Sequence, residues 1–228
     1  MITLAFELSA SPCSLALLRD DDIAAERTWS AERSGGRHLF SHLNDLLKES
    51  GTEPERIDRY AVGLGPGSFA GLRMALTTAR AMALPDSRKI YGLPSSELTA
   101  RSLAARYALP SIAVVGDARR GRLWVARYTS LEPDRRVMDN PFHLTTWSEL
   151  PALVEAMAAM ATPHGPTLGA RLKSVMPAGM RLFDQDAIPS AAMAGHWAPR
   201  FGQEDQRGNP ATALAPVYLH PAIQPHCG

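Results

Sequence analysis

Cysteines are scarce in this sequence, and long apolar runs are missing. The 228 residues include two cysteines, Cys13 and Cys227, too few for the disulfide framework of a small secreted domain. No stretch approaches the roughly 18 consecutive apolar residues of a membrane-spanning helix. The first residues show neither the basic segment nor the cleavage signature of a secretion signal. We therefore expect a cytoplasmic chain that does not enter a membrane.

An excess of charge of one sign is also missing. The chain has 24 basic and 23 acidic side chains, giving a formal net charge of +1. Because nucleic-acid binding draws most of its affinity from neutralised phosphates, this balance argues against tight unaided binding to RNA or DNA. The densest basic cluster is Arg119, Arg120 and Arg122. A solvated hairpin turn is the simpler interpretation of this cluster, and a phosphate or partner contact is the alternative.

Recognisable catalytic groupings are absent as well. His38 and His42 have the spacing of a helical metal pair, but no nearby acidic or cysteine residue completes a site. We therefore expect no metal, and we expect these histidines to face a partner helix or solvent. Glu7, Glu97 and Asp117 lie near predicted loops, and each can be explained by an ordinary structural role such as capping. No catalytic residue is predicted.

The most informative feature that is present is a glycine loop between an apolar strand and a helix, within residues 60–80. Gly65 and Gly67 suit a tight turn, and Ser68 can cap the helix that follows. A glycine loop at a helix N-terminus can bind an anion. The candidate nucleotide- or phosphate-binding residues are therefore Ser9, Gly65, Gly67 and Ser68.

This loop fits none of the stricter templates. A dinucleotide fingerprint would need its third glycine one residue before Gly71, and a P-loop needs a lysine that the loop lacks. A nucleophile elbow needs glycines two residues on either side of Ser68. A structural turn with a helix cap is the simpler interpretation. Behind the loop, Gly71, Ala75 and Ala79 recur every four residues, which predicts a small-residue face that another helix could approach closely.

Periodicity and turn residues predict an α/β chain. A boundary near residue 108 is expected to divide an N-terminal subdomain, 1–108, from a C-terminal subdomain with an extended tail, 109–228. In the first part the predicted strands are 2–8, 13–19, 23–30, 59–64 and 88–92, and the predicted helices are 37–49, 69–83 and 95–107. In the second part we predict strands at 111–117 and 122–129, a helix at 146–161 capped by Thr145 or Thr146, short strands and loops over 163–189, a helix at 189–202, and an extended tail from 208.

The glycine loop carries a resemblance to a known family. Residues 65–73, Gly-Pro-Gly-Ser-Phe-Ala-Gly-Leu-Arg, closely resemble the signature of the TsaB family, the bacterial tRNA threonylcarbamoyladenosine biosynthesis subunits once described as glycoprotease-like (YeaZ). The sequence departs from that family at Glu7-Leu8-Ser9, where Asp-Thr-Ser is usual, and at Ala70, where threonine is usual. Further segments that resemble the family are residues 2–9, 13–17, Arg37-His38, 117–121 and 216–219.

The resemblance implies an actin-like, sugar-kinase-like (ribonuclease H-like) fold of two lobes, the second smaller. It implies a non-catalytic scaffold that dimerises through the helices at 37–49 and 69–83 and pairs through the same surface with the catalytic TsaD subunit. With the ATPase TsaE, that complex transfers threonylcarbamoyl to adenosine 37 of tRNAs that read codons starting with A. ATP is then used by the complex rather than bound tightly here, and tRNA is met only through the complex.

Ten residues on the two helices are candidate contacts with the partner, on the strength of the resemblance. Since an amphipathic helix must first cover its own domain, the alternative is that some of them face their own sheet. We expect Gly71→Arg or Ala75→Arg to separate a dimer without unfolding it. The ten candidates are Leu39, His42, Leu43, Leu46, Phe69, Gly71, Arg73, Met74, Ala75 and Thr78.

A comparison with the TsaD paralogue, also by resemblance, supports a chain without catalysis. TsaD carries two metal-binding histidines where this sequence has Ser95 and Thr99, and neutral hydroxyls are poor ligands for a transition metal. The longer carboxylate of Glu7 also weakens the case for a magnesium-nucleotide site. Two alternatives remain, namely a small ATPase or phosphotransferase of the actin-like fold, and a peptidase, which would lack both a nucleophile elbow and a metal pair.

Overall fold

Three consecutive antiparallel strands open the computed structural model, which describes residues 1–30, 38–129, 131, 142–206 and 213–219. The first two strands are buried on both faces, whereas the third lies at the sheet edge and alternates between exposed and covered positions. Continuous burial of a strand requires elements on both sides of its sheet. These strands are β1 (Ile2–Glu7), β2 (Cys13–Arg19) and β3 (Asp22–Trp29).

The first sheet continues from β1 through two parallel strands, in the order β11-β5-β4-β1-β2-β3. Alternate residues point to opposite faces: Leu4 and Phe6 contribute to a core beneath α1 and α2, whereas Ala5 packs with Leu98 and Ala194 of α3 and α6. The sheet is therefore a layer between two pairs of helices. Its further elements are α1 (Leu39–Glu49), β4 (Arg59–Gly63), α2 (Phe69–Ala83), β5 (Lys89–Leu93), α3 (Ser95–Tyr107), α6 (Ala191–Phe201) and β11 (Gln203–Glu204).

The second sheet has the order β10-β9-β6-β7-β8. One of its faces packs against α3 through residues such as Ala100 and Leu103, and the other packs against α4 and α5 through Leu150 and Leu172. Helix α3 consequently contributes to the cores of both sheets. The elements are β6 (Ser111–Arg119), β7 (Arg122–Thr129), β8 (Phe142–Thr145), α4 (Leu150–Val154), β9 (Ala159–Ala161), α5 (Gly165–Val175) and β10 (Arg181–Phe183).

The predicted elements of residues 1–129 are confirmed, with small shifts at the ends. The helix predicted from 37 is described from Leu39, and Arg37 lies outside the described residues. The helix predicted at 189–202 is confirmed as α6. Of the tail predicted from 208, residues 213–219 have no regular structure, and the rest lies outside the described residues.

Two predictions for the second half are wrong. Of the helix predicted at 146–161, only Leu150–Val154 is helical, and its N-cap is Glu149 rather than Thr145 or Thr146. Ala159–Ala161 instead forms a fully buried strand between β6 and β10. Ladder pairing with two neighbours outweighs the helix preference of alanine and methionine in this segment. The short strands and loops expected over 163–189 are confirmed only in strand β10, since Gly165–Val175 forms helix α5. Pro166 does not prevent this helix, because it lies at the helix start, where a proline is tolerated.

None of the helices in the described part of the chain is both long enough and apolar enough to cross a membrane.

Candidate functional site

The four candidate loop residues meet at the carboxyl ends of β1 and β4. The amide of Ser68 donates to the carbonyl oxygen of Ser9 at 2.8 Å, and the Ser68 hydroxyl accepts from the Gly71 amide at 3.2 Å as the cap of α2. The amide of Gly65 donates to the Ser95 hydroxyl at 2.9 Å. These contacts use the backbone donors of Gly65 and Ser68 within the protein, rather than leaving them free to hold an anion.

The buried Glu7 carboxyl joins the turn after β1 to the start of α3. One of its oxygens accepts from the Ser9 amide at 2.8 Å, and the other accepts from the Ser95 hydroxyl at 2.7 Å. Gly63 leaves room for this carboxyl, since a Cβ there would lie 1.7 Å from its Oε2. Burial is the main cause that raises the pKa of Glu7, and the hydrogen bonds from Ser9 and Ser95 oppose it. An internal acid thus takes the donors that an external anion would need.

The cleft between the two sheets is nearly closed. The cavity there has a volume of ≈ 10 Å³, which is room for about one water molecule, whereas ligand pockets measure roughly 300–1,000 Å³. None of the described residues lining it is a lysine or arginine. Burial is the main cause that lowers the pKa of the lining residue His164. The cavity is lined by residues of both lobes, among them Ser9, Pro66, Trp124, His164 and Pro189.

Helix α3 forms one wall of the cleft, and its polar side chains are bonded within the protein. Thr99 donates to the carbonyl oxygen of Ala187 at 3.1 Å, and Ser95 bonds Glu7 as described above. Glu97 and Arg101 form a buried ion pair, with Oε1 and Nε 2.8 Å apart. Among the described residues no group of three or more His, Cys, Asp or Glu side chains could hold a metal ion.

Six of the ten candidate contact residues lie inside the chain's own core, which corrects their assignment to the partner surface. Leu39, Leu43 and Leu46 pack beneath α1 in the core of the first sheet. Gly71, Ala75 and Thr78 are buried on the inner side of α2. The 3.6-residue period identifies a face of each helix, but it does not say whether that face meets the sheet or a partner.

The small-residue face of α2 serves close packing within the chain. A Cβ on Gly71 would lie 2.1 Å from the carbonyl oxygen of Leu8, so the helix backbone rests almost directly on the end of β1. Ala75 is fully buried next to this contact. The expectation that Gly71→Arg or Ala75→Arg separates a dimer without unfolding it is therefore corrected, because an arginine at either position would have to enter the core.

The outer faces of α1 and α2 carry exposed aromatic and small side chains. Phe40 is 62% exposed and Phe69 56% exposed. The guanidinium carbon of Arg73 lies 4.6 Å above the Phe69 ring, and the ring of Tyr218 is 5.2 Å away. His42 stacks on Trp29, with ring centroids 4.6 Å apart. Met74 is half-buried, and Ala70, Thr77 and Ala81 lie on the exposed side of α2.

Sequence reasoning missed Phe40 and Tyr218. Phe40 directly follows the buried Leu39 in α1. Because neighbouring residues of a helix point in different directions, the helical period would have placed Phe40 outside the core. Tyr218 reaches Phe69 only through the fold of the tail. No local signal in the sequence indicates that contact.

A group of hydrogen bonds among Arg80, Asp205 and Leu214, here called the clasp, fixes the tail against α2. Asp205 accepts two hydrogen bonds from the Arg80 guanidinium, each 2.8 Å long, and a third of 2.8 Å from the Leu214 amide. The Val217 amide donates to the carbonyl oxygen of Leu64 at 2.8 Å. Bidentate guanidinium–carboxylate pairs are the more stable kind of ion pair. The clasp therefore makes the tail a fixed part of the surface around α2.

Similarity to known proteins by sequence covers most of the chain. A family model described as TsaD: tRNA N6-adenosine threonylcarbamoyltransferase matches residues 30–160. The Bacillus subtilis protein named tRNA threonylcarbamoyladenosine biosynthesis protein TsaB is 27% identical over 157 residues. That match covers 66% of this chain and 66% of the Bacillus protein, so the chain spans just under two thirds of the relative's length.

Solved structures establish the fold. A Pseudomonas aeruginosa protein, described as similar to the peptidase YEAZ, matches with a TM-score of 0.74 at 22% identity, over 96% of this chain and 99% of that one. The activator of 2-hydroxyisocaproyl-CoA dehydratase from Clostridium difficile, solved with bound ADPNP, matches with a TM-score of 0.51 at 12% identity, over 87% of this chain and 94% of that one. The predicted actin-like, sugar-kinase-like α/β fold is confirmed.

Proposed function

The chain belongs to the family of TsaD, the tRNA N6-adenosine threonylcarbamoyltransferase, as a TsaB/YeaZ protein, and on this premise we propose that it is a non-catalytic subunit of the threonylcarbamoyl-transferring complex. The complex would modify adenosine 37 of tRNAs that read codons starting with A, and the chain would act with it in the cytoplasm. The observation that carries the proposal is the closed cleft: the loop amides of Gly65 and Ser68 donate to Ser95 and Ser9, Glu7 accepts from the same two residues, and ≈ 10 Å³ of space remains.

The catalytic TsaD subunit is the proposed partner, and a second copy of this chain competes for the same surface. That surface is the outer side of α1 and α2, within the proposed N-terminal subdomain 1–108. Exposed Phe40 and Phe69 supply apolar area, and aromatic side chains of this kind anchor protein interfaces. The short side chains of Ala70, Thr77 and Ala81 allow a partner helix to approach closely. The ATPase TsaE would act on the assembled complex, and tRNA would be bound through it.

Neither alternative function gains support from the site. A nucleotide needs a pocket of roughly 300 Å³ or more, and the cleft lacks both that volume and a lysine or arginine among its described lining residues. A serine nucleophile would need a free, activated hydroxyl, whereas the Ser68 hydroxyl caps α2.

Thr77→Arg is expected to prevent assembly while leaving the fold intact. Thr77 lies on the exposed side of α2, so a long charged side chain can extend into solvent in the monomer but must be buried in a helix–helix contact. Multi-angle light scattering should show a homodimer for the unmodified chain, a heterodimer after mixing with the TsaD protein of the same organism, and a monomer for Thr77→Arg in both experiments.

Ser174→Arg is the matched control, because it places the same side chain on an exposed position of α5. This variant should form the homodimer and the heterodimer as the unmodified chain does. If Thr77→Arg assembles with the same masses and affinities as Ser174→Arg, the interface does not lie on the outer side of α2.

A further inference from the structure

The hairpin tip between β6 and β7 has an unusual backbone for its sequence. Arg119 pairs with Arg122 across the hairpin, and Arg119, Arg120 and Gly121 have φ values of 68°, 54° and 74°. All three residues are thus left-handed. Arg120 and Gly121 are the two central residues of the turn, where asparagine, aspartate and glycine are favoured. Arg119 precedes them, and its left-handed backbone crowds its side chain in the same way. Two arginines therefore hold positions that disfavour them.

The side chains of this tip extend into solvent. The Arg119 side chain is 86% exposed, and Arg120 and Arg122 are exposed as well. A Cβ on Gly121 would meet no heavy atom within 4 Å, so the turn stands clear of the rest of the chain.

The tip carries three arginines, of which Arg119 makes a long ion pair with Asp117 and Arg122 lies near enough to Glu149 to lower its pKa. Asp117 accepts from the Arg119 amide at 2.7 Å, and its second oxygen lies 3.7 Å from the Arg119 guanidinium. Within the described part of the chain Arg120 makes no ion pair. Strained positions that break a local preference are where a functional side chain is expected.

We propose that Arg119 and Arg120 form a phosphate-binding tip that contacts the tRNA backbone in the assembled complex. Guanidinium groups bind phosphate with paired hydrogen bonds, and phosphate contacts position an RNA without reading its sequence. With a net charge of +1 the chain does not bind RNA tightly alone, so the tip adds to the affinity of the complex. This inference rests on the proposed function.

RNA is favoured over an acidic protein surface as the ligand. Anchor residues of protein interfaces, arginine included, are desolvated among closely packed neighbours. The apolar neighbours of the tip, Ala118 and Leu123, are instead buried at 2% and 1% exposure. The tip therefore offers charge without apolar area, which suits a phosphate backbone.

Arg119→Asn with Arg120→Asn tests the proposal, because asparagine accepts the left-handed conformation. The double variant should unfold at the same temperature as the unmodified chain or a higher one. In fluorescence anisotropy with labelled, unmodified tRNA, the complex carrying it should bind about tenfold more weakly near 100 mM salt, and the slope of log affinity against log salt should fall by about one to two. Arg119→Lys with Arg120→Lys should keep most of the slope.

Arg56→Asn with Arg106→Asn is the control, because it removes the same charge from exposed positions elsewhere and should leave the slope unchanged. An unchanged slope for the tip variant, or equal losses in both variants, overturns the proposal. The tip variant could also assemble poorly with the catalytic subunit while the complexes that do form bind RNA with unchanged affinity. That result would assign the tip to a protein contact and would also overturn the proposal.

Two further provisions keep the outcomes separate. Assembly is measured first by light scattering, so that failure to assemble the unmodified chain counts against the proposed function, whereas failure of the tip dependence counts against this inference alone. If the double variant does not fold, Arg120→Gln is measured instead. A decrease of less than about 0.5 in the slope of log affinity against log salt then rejects the proposal.

Discussion

Arg101→Met is expected to lower the free energy of unfolding by about 3 kcal/mol at pH 7, because it leaves the Glu97 carboxylate buried without its cation. Arg101 and Glu97 are both almost fully buried, and their Nε and Oε1 atoms lie 2.8 Å apart. The guanidinium also lies 3.9 Å above the ring of Phe201, so it joins α3 to α6 behind the cleft. Urea unfolding followed by circular dichroism measures the loss.

The double variant Glu97→Met with Arg101→Met should recover most of that loss, since two apolar side chains replace a buried pair at little net cost. Arg106→Met, the same change at an exposed position of α3, should stay within about 0.5 kcal/mol of the unmodified chain. If the double variant is no more stable than Arg101→Met, packing rather than charge explains the effect.

The loss in Arg101→Met should also depend on pH. Burial is the main cause that raises the pKa of Glu97, while the charge and hydrogen bond of Arg101 lower it, so the variant raises this pKa further. A raised folded-state pKa penalises folding only above the unfolded value. The loss should therefore be full above the folded pKa and fade as the pH falls towards the ordinary value of 4.5.

Gly71→Ala should lower the free energy of unfolding by about 2 kcal/mol. The new Cβ would lie 2.1 Å from the Leu8 carbonyl oxygen, and overpacking of this kind costs about 3 kcal/mol. Because alanine has a higher helix propensity than glycine, about 1 kcal/mol of this loss in the free energy of unfolding is offset. The same urea experiment measures the difference.

Thr77→Ala is the control for this prediction, because it changes an exposed residue on the opposite side of α2 and should be neutral or slightly stabilising. A Gly71→Ala variant as stable as Thr77→Ala would mean that α2 does not rest on the end of β1. The placement of its outer face would then also be wrong.

Local sequence was enough to predict the elements of residues 1–129, since most strands and helices there end close to a glycine, a proline or an acidic turn. It was not enough for Ala159–Ala161, whose alanine and methionine favour helix and which becomes a strand only between two neighbours from elsewhere in the chain.

The candidate site was predicted in part, for a related reason. The loop residues from Ser9 to Ser68 come together because β1 and β4 are parallel neighbours. The contact between Glu7 and Ser95 joins residues 88 positions apart, so no local pattern shows that the cleft is closed. Likewise, the period of α2 shows that Gly71 and Ala75 share a face, whereas only the position of Leu8 shows that this face points inward.

Reconstituted threonylcarbamoyl transfer tests the central claim most directly. Radiolabelled threonine incorporated into unmodified tRNA is measured with the catalytic subunit, the ATPase and the enzyme that makes the threonylcarbamoyl donor, with and without this chain. We expect transfer only when both this chain and the catalytic subunit are present, with loss of transfer for Thr77→Arg and none for Ser174→Arg. Transfer by this chain without the catalytic subunit, or full transfer in its absence, would contradict the role of a non-catalytic subunit.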